Sequence, residues 1–278
     1  MPSKLNLLQQ HLPEGLVVDA AWLSQHGYST SLRSHYLKTG WLQQPVRGVY
    51  RRPRGSLSWQ QIVISLQTIL EQPLLVGGRT ALELQGYSHY LSRQTKEVHL
   101  YGPERPPNWV STLKLDARFV YHNDRKLFSN APITRGLASL DWNGAEPKGV
   151  GDDPTHDQFT VQPWGQWNWP LTLSSPERAI LELLDELPNR ETFHQVDMLM
   201  EGLSNLSPRR LQTLLADCHN VKVKRLFFFF ADRHRHAWLK WLDKKVISFG
   251  EGKRMLVKHG KLDKIYQITV PENIDAVQ

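Results

Sequence analysis

The 278-residue sequence contains one cysteine, Cys218. That excludes an internal disulfide framework and suits a reducing compartment. No stretch approaches the roughly 18 apolar residues of a membrane-spanning helix. The opening residues MPSKLNLLQQHLPEG have no long apolar run ahead of Pro13 and do not read as a secretory signal. The expected location is the cytoplasm, with no membrane partner. Catalytic signatures are missing too. There is no nucleophile elbow, no His-Glu-x-x-His, no phosphate loop, and no Gly-Ser with the paired aspartates of two-metal nucleotidyl transfer. The chain therefore reads as a non-enzyme with no catalytic residue, metal or cofactor. A nuclease assembled from scattered acids and a lysine stays open as an alternative.

Positive charge is present, and it is uneven. The net charge is +7. Residues 1–54 hold seven Lys/Arg against Glu14 and Asp19, a net of +5. Residues 220–264 hold thirteen against four acids, a net of +9. The chain between these poles is net acidic, which suggests two working surfaces.

At the first pole, residues 3–11 form a helix candidate ended by Pro13 and Gly15. Asp19 is a natural N-cap for a second helix carrying Ala20, Trp22 and Leu23, and Gly27 is its stop. A third helix, capped by Ser29 or Thr30, runs to Gly40. GWLQQ and VYRR then read as two short strands around Pro45–Gly48. Helix, helix, turn, helix and basic hairpin is the winged helix-turn-helix plan. Its recognition helix enters the major groove, and its hairpin lies on phosphate. No acid falls within residues 28–53. The expected DNA contacts are Ser29, Thr30, Ser31, Arg33, Ser34, His35 and Lys38 from the helix, with Arg47, Arg51, Arg52 and Arg54 from the wing. Arg33, Ser34, His35 and Lys38 are expected to face the groove.

Beyond residue 54 the character changes. LSWQQIVISLQTIL has the spacing of an amphipathic helix, and EVHLYGP and DARFVYHN read as strands. Gly77 and Gly78 look like a turn into a helix, but without a Walker lysine they make only a weak phosphate site. Residues 143–170 are turn-rich, and Asp152, Asp153, His156 and Asp157 read as a solvated loop rather than metal ligands. Ser175–Pro176 and Ser207–Pro208 are capped helix starts. The run Phe227–Phe230 suits a buried strand or a buried helix. Helix is preferred, because ADRHRHAWLKWLD follows without a turn signal. Lys222, Lys224, Arg225, Arg233 and Arg235 are either a solvated rim or a second anion surface. A basic β-hairpin is expected to close the chain. The expected fold class is α+β: an N-terminal winged helix-turn-helix over 1–54, then a larger mixed α/β domain over 55–278. That domain divides into an α+β part (55–142), a loop (143–170) and a mainly helical part (171–278).

Four blocks taken together, VGGRTALELQGYSHYL, LSSPERAILELLDELP, CHNVKVKRLFFFFADRHRHAWLKWLD and GKRMLVKHGKLDKIYQITVP, closely resemble the AbiEi family of abortive-infection antitoxins. The N-terminal segment resembles that family's winged-helix domain in plan more than in residues. The resemblance implies a type IV toxin–antitoxin component. Its N-terminal domain would bind inverted repeats in double-stranded operator DNA and repress its own operon. Its larger domain would counter a nucleotidyltransferase-like toxin without requiring a stable complex. No antitoxicity site carries over residue by residue, so the five cations from Lys222 to Arg235 are candidates on charge alone. A winged-helix regulator with a ligand-sensing C-terminal domain, and a DNA-targeted nuclease, are the alternatives.

Overall fold

The computed structural model describes residues 3–87, 96–129 and 158–274. The cluster Asp152–Asp157 and residues 143–157 of the turn-rich stretch lie outside the described residues. No described helix is long and apolar enough to cross a membrane.

The N-terminal module is built from α1 (Lys4–His11), β1 (Val17–Asp19), α2 (Ala20–Gln25), α3 (Thr30–Lys38), β2 (Gln43–Val46) and β3 (Val49–Arg51). Local chemistry sets each helix. Ser3, Asp19 and Ser29 accept hydrogen bonds from the N–H groups of Asn6, Trp22 and Leu32. Gly27 ends α2 in the left-handed region at φ 77°. The three strands form an antiparallel sheet in the order β1-β3-β2, the winged-helix arrangement. β1 was not expected from the sequence. Val17 and Val18 are only two apolar residues, and it is pairing with Arg51 and Tyr50 that makes them a strand.

The body follows. α4 (Trp59–Ile64) opens with a capping box between Ser58 and Gln61 and continues into a π-helical turn over Ser65–Ile69. A five-stranded mixed sheet runs β6-β5-β4-β8-β7. Its strands are β4 (Leu75–Val76), β5 (Glu97–Gly102), β6 (Arg118–Asn123), β7 (Phe159–Trp164) and β8 (Trp169–Ser174). β5 and β6 are parallel, as are β4 and β8. The hairpin β7–β8 corrects the expected loop over 143–170. Gly165 and the Trp-Asn-Trp-Pro run signal a turn, but the turn is short and both flanks pair through Phe159–Ser174. α5 (Gly78–Leu84), α6 (Pro176–Asp185), α7 (Phe193–Gly202), α8 (Pro208–Asp217) and α9 (Val221–His234) complete the body. The hairpin β9 (Lys261–Asp263) and β10 (Ile268–Val270) follows them, as expected.

α9 carries the phenylalanine run as a helix, with Phe227, Phe228 and Phe230 fully buried. It stops at Arg235, left-handed at φ 52°, rather than continuing through Trp241. There the side chain of His236 meets the Met200 carbonyl at 2.7 Å, and Trp238 donates to the Leu203 carbonyl at 2.8 Å. Packing against the end of α7 ends the helix where no glycine or proline does.

A buried ionic network joins sheet to helices. Glu182 accepts from the Gly78 N–H at 2.9 Å, Ser174 Oγ at 3.0 Å and Arg178 Nε at 2.8 Å. Arg178 also reaches Gln158 Oε1 at 2.9 Å and Asp124 Oδ2 at 3.1 Å. The glycine pair thus presents its helix N-terminus to a carboxylate of the same chain. A Cβ on Gly77 would lie 2.2 Å from Glu182 Oε2, so the close approach requires glycine. On the β5–β6 side, His99 Nδ1 meets His122 Nε2 at 2.9 Å, and His122 Nδ1 meets Glu186 Oε1 at 3.0 Å. Burial, then the neighbouring His122, pushes His99 down to about 4.

Two outcomes follow from these buried groups. Glu182→Ala leaves Arg178 short of a counter-ion and the Gly78 N–H unpaired, and should cost about 3–5 kcal/mol, read as a lower urea midpoint. His99 is depressed below its unfolded value near 6.5. The unfolded chain therefore binds the extra proton, and the stability contributed is present above about pH 6.5 and lost as pH falls toward 4. His99→Gln should flatten that acid limb in denaturation midpoints measured from pH 7 to 4.

Candidate nucleic-acid interface

α3 sorts its residues by face. Tyr36 and Arg33 are buried and Leu32 and Leu37 are partly buried, all toward the module. Ser31, Ser34, His35 and Lys38 are exposed and stand at i, i+3, i+4 and i+7, one stripe along the helix. Ser29 and Thr30 are exposed at its start, with Ser29 Oγ 3.0 Å from Ser31 Oγ. The wing turns at Arg47 and Gly48, the latter at φ 81°, and leaves Arg47 exposed. Trp41, 44% exposed, stands between helix and wing. Hydroxyls, an imidazole, two cations and no carboxylate make this surface. That set suits hydrogen bonding to base edges and contact with phosphate.

Arg33 departs from the groove-facing expectation. It is 9% exposed and turned inward. Its guanidinium donates to the carbonyls of Ala20 (3.2 Å) and Ser29 (3.4 Å) and to the hydroxyls of Ser24 (3.3 Å) and Thr30 (3.1 Å). It also lies over the Tyr50 ring at 5.9 Å. This side chain ties α3 to α2 and to the wing, because a guanidinium carries enough donors to satisfy several oxygens at once.

Two wing arginines are likewise internal. Arg51 is buried, forks onto Gln43 Oε1 at 3.0 and 2.9 Å, and donates to the Gly55 carbonyl at 2.7 Å. Burial lowers its pKa. Arg52 pairs with Glu14 at 3.0 Å and donates to the carbonyls of Leu12 (3.2 Å) and Gln9 (3.3 Å), closing the end of α1 onto the wing. Arg54 is half-buried, 3.8 Å from Glu14 and 5.3 Å over the Trp167 ring at the β7–β8 turn. The expectation that Arg51 and Arg52 reach out to phosphate is corrected. Arg47 and Lys38 are the exposed cations of the wing and helix.

Part of the second basic pole is likewise internal, while its cations over 240–264 are mostly exposed. Arg225 is 3% exposed and donates to the carbonyls of Phe249, Gly250, Gly252 and Gln267, holding the segment around the last hairpin. Lys224 is 5% exposed. Lys222 meets Asp185 Oδ1 at 3.1 Å and the Leu187 carbonyl at 3.0 Å. Arg233 pairs with Asp197 at 3.0 Å, alongside His234 at 2.7 Å. Of the five, Arg233 and Arg235 are exposed at the end of α9. Carbonyls, which carry no formal charge and are invisible to a charge count, take up much of this charge. Among the described residues no cluster of three His, Cys, Asp or Glu side chains is placed to hold a metal ion.

A family model described as "Transcriptional regulator, AbiEi antitoxin, Type IV TA system" matches residues 95–271. A second, for the N-terminal domain of AbiEi antitoxin transcriptional regulators, matches residues 1–93. No curated protein matches the chain. Among solved structures, the RV2827C protein from Mycobacterium tuberculosis superposes with a TM-score of 0.55 at 15% identity, over 96% of this chain and 89% of that one. At that identity the likeness speaks for the fold alone.

The inward turn of Arg33 changes what its removal does. Arg33→Ala should destabilise the chain by about 1–3 kcal/mol by removing the hydrogen bonds that tie α3 to α2. It should weaken binding to every DNA sequence alike instead of relaxing one base preference. Thermal denaturation and a panel of single-base operator variants read the two effects.

Proposed function

The chain belongs to the AbiEi antitoxin family of type IV toxin–antitoxin transcriptional regulators, and from that premise we propose that it represses its own operon and counters a nucleotidyltransferase-like toxin. Residues 1–54 bind inverted repeats in double-stranded operator DNA through the winged helix. Residues 55–278 carry antitoxicity in the cytoplasm, without catalysis and without requiring a stable complex with the toxin. The observation that carries the DNA reading is the exposed acid-free stripe Ser31, Ser34, His35 and Lys38 beside Arg47. Arg33, Arg51 and Arg52 support it from beneath by fixing helix and wing as one surface. Preorganisation of this kind lowers the ordering cost of binding.

The two activities share a packed boundary. The Val17 N–H donates to Ser65 Oγ at 2.9 Å, and Val17 and Val49 pack with Ile62 and Leu66 in one buried cluster. Removing residues 1–54 would uncover that cluster, so surface substitutions in the full chain separate the functions more cleanly than truncation. Lys38→Ala/Arg47→Ala should lower the slope of log affinity against log salt by about 0.9 for each lost phosphate contact. In cells the same variant should lose repression of its own promoter while still rescuing growth from the cognate toxin when expressed from a foreign promoter. An unchanged salt slope would remove helix and wing from the interface. Loss of rescue by a folded variant would mean that antitoxicity runs through DNA binding.

A further inference from the structure

A cavity of about 520 Å³ opens at the carboxyl ends of the parallel strands β5 and β6 and against the end of α6. Crevices at the carboxyl ends of parallel strands are where α/β sheets hold ligands, and this volume falls within the usual range for a small molecule. Tyr101, Tyr121 and His122 form one wall, and Asp185 and Glu186 enter from α6 and just beyond it. Arg105, Lys126 and Arg190 line the cavity around them.

The carboxylates of this cavity are already engaged. Asp185 is held by Lys222 at 3.1 Å and by the Asn220 amide at 2.9 Å. Glu186 is held by His122 at 3.0 Å, with Arg190 standing off at 3.6 Å. His122 in turn has both ring nitrogens occupied, by Glu186 and by His99, and stacks on Tyr101 at 4.5 Å. The wall is therefore rigid and internally satisfied. Two of the cavity's three cations are not. Among the described residues neither Arg105 nor Lys126 is paired with a carboxylate, and both are exposed. Arg105 is positioned over the Tyr121 ring at 5.6 Å. Asn123 accepts from the Arg125 N–H at 3.0 Å through its oxygen, which leaves its amide donors available to the cavity it lines. Glu104, exposed beside Arg105, is the nearby acid that opposes them.

We propose that this cavity binds a small phosphate-bearing molecule, its phosphate held by Arg105, Lys126 and Arg190 and its remainder against the Tyr121–His122 wall. This goes beyond the operator and toxin reading and gives the regulator a ligand input. Three cations lining one cavity, two of them without a carboxylate partner and beside amide donors, match a multiply charged oxyanion better than a neutral metabolite, and guanidinium forks match phosphate geometry.

The test is isothermal titration calorimetry on the full chain with inorganic phosphate, pyrophosphate and a nucleoside triphosphate as separate probes. Saturable binding of at least one probe is expected, weakened tenfold or more in Arg105→Ala/Lys126→Ala. Lys126→Arg should bind as the parent does. Lys38→Ala/Arg47→Ala, which alters only the winged-helix surface, should also bind as the parent does. Equal affinity for inorganic and organic phosphate would identify free phosphate as the ligand, and preference for an organic phosphate would show that the wall is used. The proposal is overturned by no saturable heat with any probe, by unchanged affinity in Arg105→Ala/Lys126→Ala, or by loss that follows the winged-helix variant. Operator binding by Arg105→Ala/Lys126→Ala should stay at the parent level, which keeps this outcome distinct from failure of the DNA reading.

Discussion

Glu182 is the group on which the body of this protein depends. It sits fully buried on α6 and receives donors from the start of α5, from the end of β8 and from Arg178 on its own helix. Through Arg178 the same network reaches Gln158 before β7 and Asp124 after β6, with the guanidinium 4.4 Å over the Phe128 ring. A carboxylate stripped of water is costly unless its lone pairs are filled, so all of these segments must arrive together. The result fixes the helix layer against the sheet, and with it the carboxyl ends of β5 and β6.

The same logic recurs with the sign reversed. Arg52 and Arg225 each collect several carbonyl oxygens from segments distant in sequence, and Arg33 and Arg51 collect oxygens within the winged-helix module. Arginine suits this because its donors fan out in one plane and its charge is never lost. Helix and wing are thereby held as one surface, and the C-terminal hairpin segment is closed onto α9. What is left outside includes the α3 stripe, Arg47, Arg233, Arg235, the rim of the β5–β6 cavity and most of the Lys/Arg residues over 240–264.

The winged helix was legible because its signals are local. Asp19, Ser29 and Gly27 announce caps and a stop through chemistry within three or four residues. The helices α6 and α8 were legible for the same reason, through Ser-Pro starts and leucine stripes. β1 and β7 were not. Their strand character comes from their partners, Tyr50 far along the chain for Val18 and Thr172 across the β7–β8 turn for Val161. The end of α9 was not legible either, because burial of Trp238 under Leu203 decides it.

The sequence by itself therefore determined the fold class, the winged-helix plan, most helix boundaries and, through four sequence blocks, the family. It also determined that the region from α3 to the wing carries no acid. Only the tertiary structure decided which cations remain available to a partner. A charge count treats Arg33 and Lys38 alike. The fold buries the first among carbonyls and leaves the second in water, because helix periodicity puts them on different faces and only the packing of α2 and the wing says which face is inside.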